Sequence, residues 1–347
     1  MRVFLRFVSG VCVFAASSAL AAFVFIAGSA EKAGAAKPAT SAESTPLLAV
    51  VATVFPLELI ARELAGERVT LASLVPPGAS PHTFEPLPSD VKDLVRADLV
   101  LCIGGEYDAW IRKLLSAGHK ELHVVKVIEL PGLVPLSADP RAVVHEESSA
   151  QLTDSKAHPS RQASDVDPHV WTDPLRVRDA IAPGVAHALI ELDVKGEAHY
   201  REHLANFQRR LSELDAEIRA LLTRAPQRNY VSFHAAWRYF AARYGLTEVA
   251  VVQETGGEEP APGELARLVR TAAAKQVTTI LIEPQLNPEL ARVLAAEFGG
   301  RTILVDPLGT PAVKERANYV DLMRFNARNF ARALSRSAEP ASEAGAP

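Results

Sequence analysis

Cysteine is nearly absent from this chain. Of two cysteines in 347 residues, Cys12 sits in the N-terminal apolar stretch and Cys102 alone lies beyond it, so no internal disulfide can staple the body of the protein. Cys102 falls within the apolar run Leu99-Val100-Leu101-Cys102-Ile103, which predicts a small buried hydrophobe in a strand rather than a reactive thiol. Cys12 follows Val11; lipid attachment needs a small residue there and is not expected. Runs of Lys or Arg with interleaved aromatics are also missing, which excludes the usual nucleic-acid-binding surface. No HExxH pair occurs, and no Lys-Ser/Thr follows Gly104-Gly105, so the peptidase-type zinc helix and the phosphate-binding loop are both excluded.

What is present is an ordinary globular balance, 48% hydrophobic and 22% charged, in a chain long enough for two lobes with a core each. Arg2 and Arg6 precede an uncharged apolar stretch, Phe7 to Ala30, that ends in Ala27-Gly28-Ser29-Ala30. A basic start, apolar middle and small-residue exit predict a signal peptide over 1–30 and a periplasmic location; an uncleaved membrane anchor is the alternative. Loss of the two arginines takes the formal net charge from -4 to -6, a mild acidity that suits a soluble carrier.

Residues 31–46, rich in Ala, Ser, Thr and Pro, read as a flexible linker, and 337–347 as a disordered tail. Between them, short apolar runs alternate with helical patterns. This predicts an α/β fold of two parallel-sheet lobes, 47–192 and 226–336, joined by a long rigid helix over 193–225. On that helix Tyr200, Leu204, Phe207, Leu211, Leu214, Ile218 and Leu221 form one apolar stripe. The first lobe carries a polar loop, 133–167, with His145 and His158, long enough to be functional or disordered. Ser89 is expected to cap the helix from Asp90 to Arg96.

Ligands of open α/β sheets bind beyond the carboxyl ends of the strands, and four polar residues fall there. His82 lies in the loop after the second strand; His169 precedes the helix leading out of the first lobe. His234 follows Tyr230-Val231-Ser232-Phe233, and Asp306 follows Thr302-Ile303-Leu304-Val305. Two come from each lobe, which predicts a metal site between the lobes. Three imidazoles and one carboxylate suit zinc; manganese prefers oxygen donors. Each residue alone is more often a core, capping or turn residue than a ligand. The His199/His203 and His119/His123 pairs have ligand-like spacing but no third partner, and read as a solvated helix face and as a helix-to-strand junction. Glu254, Glu258 and Glu259 read as a solvated loop, and Trp171 as packing beside His169.

From about Val50 to Leu334 the sequence resembles the metal-binding receptors of bacterial ABC transporters for zinc and manganese, a family that includes adhesin-like lipoproteins. The carriers are Val75-Pro76-Pro77-Gly78-Ala79-Ser80-Pro81-His82-Thr83-Phe84-Glu85-Pro86 with Ser89-Asp90, then Asp167-Pro168-His169-Val170-Trp171 and Ser232-Phe233-His234 with Tyr239-Phe240. Glu283-Pro284-Gln285 and Asp306-Pro307-Leu308-Gly309 complete the set. The resemblance implies His82, His169, His234 and Asp306 as metal ligands, lobes tied by a rigid helix with only small closure, and a membrane permease with its cytoplasmic ATPase as partners. The expectation is a monomeric, non-enzymatic periplasmic receptor that captures one zinc ion for an ABC permease and binds no nucleic acid. A manganese receptor of the same type, a zinc hydrolase and an adhesin are the alternatives. His234 favours zinc, since manganese-type members carry a carboxylate there. Relatives with a metal-gathering loop have a dense His/Asp/Glu run that 133–167 lacks. Neutral imidazoles are required, so binding should weaken below pH about 6.5.

Overall fold

Apolar runs of four to seven residues, too short for helices, form two parallel sheets of four strands each. The computed structural model describes residues 47–117, 122–137, 166–254 and 260–335. The expected signal peptide, linker and tail, and 138–165 of the polar loop with His145 and His158, lie outside the described residues. So do His119, Glu258 and Glu259. All described residues belong to one compact unit, Pro46–Pro347; the other unit, Met1–Thr45, lies outside them.

The first sheet comprises β1 (Leu48–Ala52), β2 (Val69–Ser73), β3 (Leu99–Cys102) and β4 (His123–Lys126), in the order β2-β1-β3-β4. Three helices follow its first three strands: α1 (Phe55–Ala65), α2 (Pro88–Arg96) and α3 (Trp110–Ala117). Next come α4 (Pro174–Arg176), α5 (Ala182–Leu192) and the long α6 (Glu197–Thr223). The second sheet, β5 (Asn229–His234), β6 (Thr247–Gln253), β7 (Thr279–Ile282) and β8 (Arg301–Leu304), repeats the first order as β6-β5-β7-β8. Helices α7 (Arg238–Tyr244), α8 (Pro262–Ala274), α9 (Glu289–Glu297) and α10 (Tyr319–Ala333) accompany it. In both sheets the chain leaves the central strand on one side and returns on the other. The crevices this opens, between β1 and β3 and between β5 and β7, are where a doubly wound sheet holds ligands.

All four residues of β3 are buried, as a strand covered on both faces requires. The Cys102 Sγ approaches Val125 O at 3.6 Å, and burial pushes its thiol pKa up, so it is an inert core residue. Helix α6, at 27 residues, is about 40 Å long. Tyr200, Phe207, Leu211, Leu214, Ile218 and Leu222 are buried along it. Leu204 and Leu221 pack partly buried against the same core, and Leu222, four residues beyond Ile218, is buried as well. This stripe belongs to one apolar core that also includes Leu101, Val185, Tyr230, Trp237 and Phe330, so the helix braces both sheets from behind.

Three local features follow from particular residues, one of them against expectation. A π turn, Val177–Ile181, lies between α4 and α5. Pro183 cannot donate to the carbonyl four residues back and its ring crowds it, a demand that a widened turn relieves. Ser89 does not cap α2: the helix starts at Pro88, and the Asp90 carboxylate accepts the Leu87 N–H at 2.7 Å. Helix α7 begins at Arg238, since buried Ala235, Ala236 and Trp237 leave β5 as a bend. Among the described residues no helix is long and apolar enough to cross a membrane.

Candidate metal site

Each of three histidines is delivered by a different segment of the chain. His82 rides a 3-10 turn, Pro81–Thr83, in the proline-rich loop between β2 and α2. Gly78 in that loop adopts a left-handed φ of 84°, a conformation that a side chain strongly disfavours. The His82 ring stands edge-on to Tyr107, with centroids 4.9 Å apart. His169 immediately precedes the 3-10 turn Val170–Thr172. It is locked by Asp167, whose Oδ1 accepts the His169 backbone N–H at 2.9 Å and lies 2.8 Å from Nδ1. His234 is the last residue of β5, and its Nδ1 lies 3.2 Å from Glu283 Oε2 just past β7. Buried Trp171 and Tyr239 tie the His169 segment to the second lobe: Trp171 Nε1 donates to Pro307 O at 2.7 Å, and the Tyr239 hydroxyl donates to Asp167 O at 2.8 Å.

The three rings converge. Their centroids are separated by 5.5 Å (82–169), 4.9 Å (82–234) and 5.0 Å (169–234). One ring nitrogen from each lies within 4.8 Å of the others. Around a tetrahedral zinc such nitrogens stand about 3.4 Å apart, so small side-chain rotations bring them into register. All three Nε2 atoms are buried without a hydrogen-bond partner. The carboxylates at Nδ1 of His169 and His234 select the tautomer in which Nδ1 donates and the Nε2 lone pair is free. The cavity these residues line measures about 10 Å³, room for one ion-sized body rather than an organic ligand.

Electrostatics favour a cation. Burial, then the neighbouring histidines, lowers the His82 pKa to about 2. Burial also lowers that of His169, against the pull of Asp167. For His234 burial acts downward, but Glu283, assisted by Asp167 and Glu248, outweighs it and the pKa rises. Two imidazoles are therefore neutral and ready to bind at neutral pH, and at the third a proton competes most strongly. Unpartnered Asp167 Oδ2 and Glu283 Oε1 are buried close behind; an uncompensated negative charge there is costly unless a cation joins it.

Asp306 sits differently from the other expected ligands. Among the described residues the group of mutually close donors is His82, His169 and His234; Asp306 does not join it. The Asp306 carboxylate is buried, its Oδ2 paired with Arg316 Nη1 at 2.8 Å. Its Oδ1 accepts from the backbone N–H of Leu308 and Gly309 at 3.1 and 2.9 Å and from Gln285 Nε2 at 3.0 Å. The close approach of Gly309 requires its φ of 80°.

Asp167 and Glu283 received no role from sequence spacing, although a carboxylate two residues before a histidine and another at a strand end are legible signals. His199 and His203 do not form a solvated face. Their rings stack with centroids 4.0 Å apart, and His199 Nε2 and His203 Nδ1 donate to the carbonyls of Ala65 and Glu63 at the end of α1, at 3.0 and 3.1 Å. His123 lies 3.4 Å from Glu191 on the surface. Glu254 pairs with Arg238 at 2.7 Å.

The profile of a known family, zinc-uptake complex component A, periplasmic (ZnuA), matches residues 50–333. The high-affinity zinc uptake system protein ZnuA of Yersinia pestis is 27% identical over 282 residues, covering 79% of this chain and 87% of that protein. The manganese ABC transporter substrate-binding lipoprotein PsaA of Streptococcus pneumoniae is 26% identical, over 86% of this chain and 93% of that one. Among solved structures, a crystal structure of ZnuA superposes with a TM-score of 0.70 at 27% identity, covering 84% of this chain and all of the other. A zinc-bound ZnuA lacking its residues 138–173 superposes with a TM-score of 0.69 at 28% identity, covering 85% of this chain and 100% of that one. With the same two-sheet fold and a match over most of its length, this chain belongs to the ZnuA family of zinc-uptake components.

Proposed function

We propose that this protein is the receptor that captures a single zinc ion outside the cytoplasm and delivers it to the permease of an ABC transporter, whose cytoplasmic ATPase drives uptake. The observation that carries the reading is the convergence of three buried, unpartnered Nε2 atoms on a cavity the size of one ion. All three are nitrogen donors, which suits zinc better than manganese. Kinship to ZnuA of Yersinia pestis and Bacillus subtilis supports the choice of metal. The protein carries its cargo without chemical change, acts as a monomer in the periplasm, and takes no nucleic acid.

His82, His169 and His234 are the direct ligands in this reading. Asp306, expected from sequence as a fourth, is already held by Arg316, two backbone donors and Gln285 Nε2. The three-nitrogen set stands without it. Delivery needs release, and a site of three neutral imidazoles lets go more easily than one closed by an anionic ligand.

Titration calorimetry on chelator-treated protein tests this. One zinc per chain is expected, with thermal stabilisation of about 4 kcal/mol when free zinc exceeds Kd a thousandfold. Stoichiometry well above one, or affinity equal in His234→Ala, would sink the reading.

A further inference from the structure

The fourth coordination position is the open question at this site. No carboxylate among the described residues joins the three imidazoles as a mutually close donor. Among the oxygens that line the same cavity, one amide oxygen is buried and has no hydrogen-bond partner. Gln285 lies three residues beyond the end of β7 and lines the cavity beside His82, His169 and His234. Its Nε2 donates to Asp306 Oδ1 at 3.0 Å. Its Oε1 is buried and has no hydrogen-bond partner.

The amide orientation follows from Asp306. A carboxylate accepts and never donates when ionised, so the NH₂ side must face it and the carbonyl oxygen must turn away. Asp306 is itself buried and held from several sides. Arg316, 14% exposed at the side chain, holds one oxygen at 2.8 Å, and two backbone N–H groups hold the other. Drawing Asp306 onto the ion would strand that guanidinium, a costly loss for a charge largely out of water. Turning a glutamine oxygen to the ion costs nothing comparable, since that oxygen is already dehydrated and unpaired.

Charge balance points the same way. Asp167 and Glu283 carry two negative charges behind the imidazoles, and Asp306 is cancelled by Arg316. A divalent ion neutralises that set with a neutral fourth donor, whereas an anionic one leaves an excess.

We propose that Gln285 Oε1 completes the ion's coordination and that Asp306 is the positioning residue that holds the amide with its oxygen inward. This rests on the three-imidazole reading above. The arrangement makes the fourth donor neutral and weak, which leaves one position easily exchanged at the permease, while the three imidazoles carry the preference for zinc.

Zinc affinity, measured by competition with a chromophoric chelator, separates the possibilities in Gln285→Leu, Asp306→Asn and the double variant. Gln285→Leu is expected to lose about tenfold or more in affinity, and Asp306→Asn a similar factor because the freed amide can turn. The double variant should bind no more weakly than Gln285→Leu alone. Affinity unchanged in Gln285→Leu, or a further loss on adding Asp306→Asn, would overturn the proposal, the latter by making Asp306 a ligand in its own right. Should Asp306→Asn not fold, the visible spectrum of the cobalt-loaded protein decides: its bands should shift in Gln285→Leu, and an unchanged spectrum counts against Gln285. His234→Ala in the same assay keeps the two levels apart. If it loses zinc while Gln285→Leu does not, only the glutamine role falls; if it binds normally, the site itself is wrong.

Discussion

Two clusters of histidines stand among the described residues, and they use their ring nitrogens in opposite ways. On α6, His199 and His203 sit four residues apart, stacked and neighbourly, yet each spends a nitrogen on a backbone carbonyl at the end of α1. Those carbonyls lack intrahelical donors and carry the negative end of the helix dipole, so imidazole N–H groups satisfy them. At the lobe interface, His82, His169 and His234 are scattered over about 150 residues of sequence, but each keeps a buried Nε2 with no partner. Ligand-like spacing alone does not make the first pair a site, whereas converging unpaired nitrogens make the second cluster a candidate for one. The lesson is that a metal site is defined by what its donors have left to give.

The largest test of that contrast is alanine substitution in each cluster. His169→Ala or His234→Ala should weaken zinc by more than about a hundredfold, beyond the 10–100-fold typical of losing an outer partner. His199→Ala and His203→Ala should leave zinc affinity within about twofold of the parent, because neither contributes to the charge or geometry of the site. A zinc defect in the helix pair would erase the distinction.

The carboxylates behind the rings come next. Glu283→Gln and Asp167→Asn should each cost about 10–100-fold in zinc affinity, since they fix ring orientation and tautomer. Calorimetry would show it, and full affinity in both variants would mean the trio is held by packing alone.

The pH dependence sharpens the picture further. A proton on Nε2 excludes the ion, so affinity falls as pH falls. The His234 pKa is raised by Glu283 while that of His82 is held near 2. His234 should therefore control the onset, which moves above the 6.5 expected for an ordinary histidine, with about a tenfold loss of affinity per pH unit below it. In Glu283→Gln that onset should move to lower pH. Binding curves across pH 5 to 8 in the two proteins check both statements, and an onset that does not shift would remove His234 from this role.

The smallest effect belongs to the helix pair itself. Loss of one hydrogen bond to the end of α1 in His203→Ala should cost about 1 kcal/mol of stability, read from urea unfolding of the metal-free protein. No measurable change would reduce the pair to surface decoration.

Much of this architecture is legible in the sequence because it depends on local pattern. Buried parallel strands announce themselves as continuous apolar runs, and Leu99–Cys102 is buried throughout. Strand ends then mark where ligands gather, which is how His82, His169 and His234 stand out. Other features escape sequence reasoning for specific reasons. Arg316 reaches Asp306 because the ten-residue stretch after β8 folds back on itself, and no periodicity encodes that return. The donation from His199 and His203 to α1 depends on how two distant helices pack. The π turn before Pro183 is a local strain whose resolution is not unique: a kink or a break would also satisfy the proline.

The sequence by itself determined the two α/β lobes and the long bracing helix and singled out the three histidines in segments beyond strands or at a strand end, because burial patterns and such positions are properties of short segments. Only the tertiary structure decided which nitrogens stay unpaired, which carboxylates stand behind them, and that Asp306 answers to Arg316 and Gln285. Those outcomes turn on contacts between segments far apart in the chain, where a few ångströms separate a ligand from a residue that merely holds one in place.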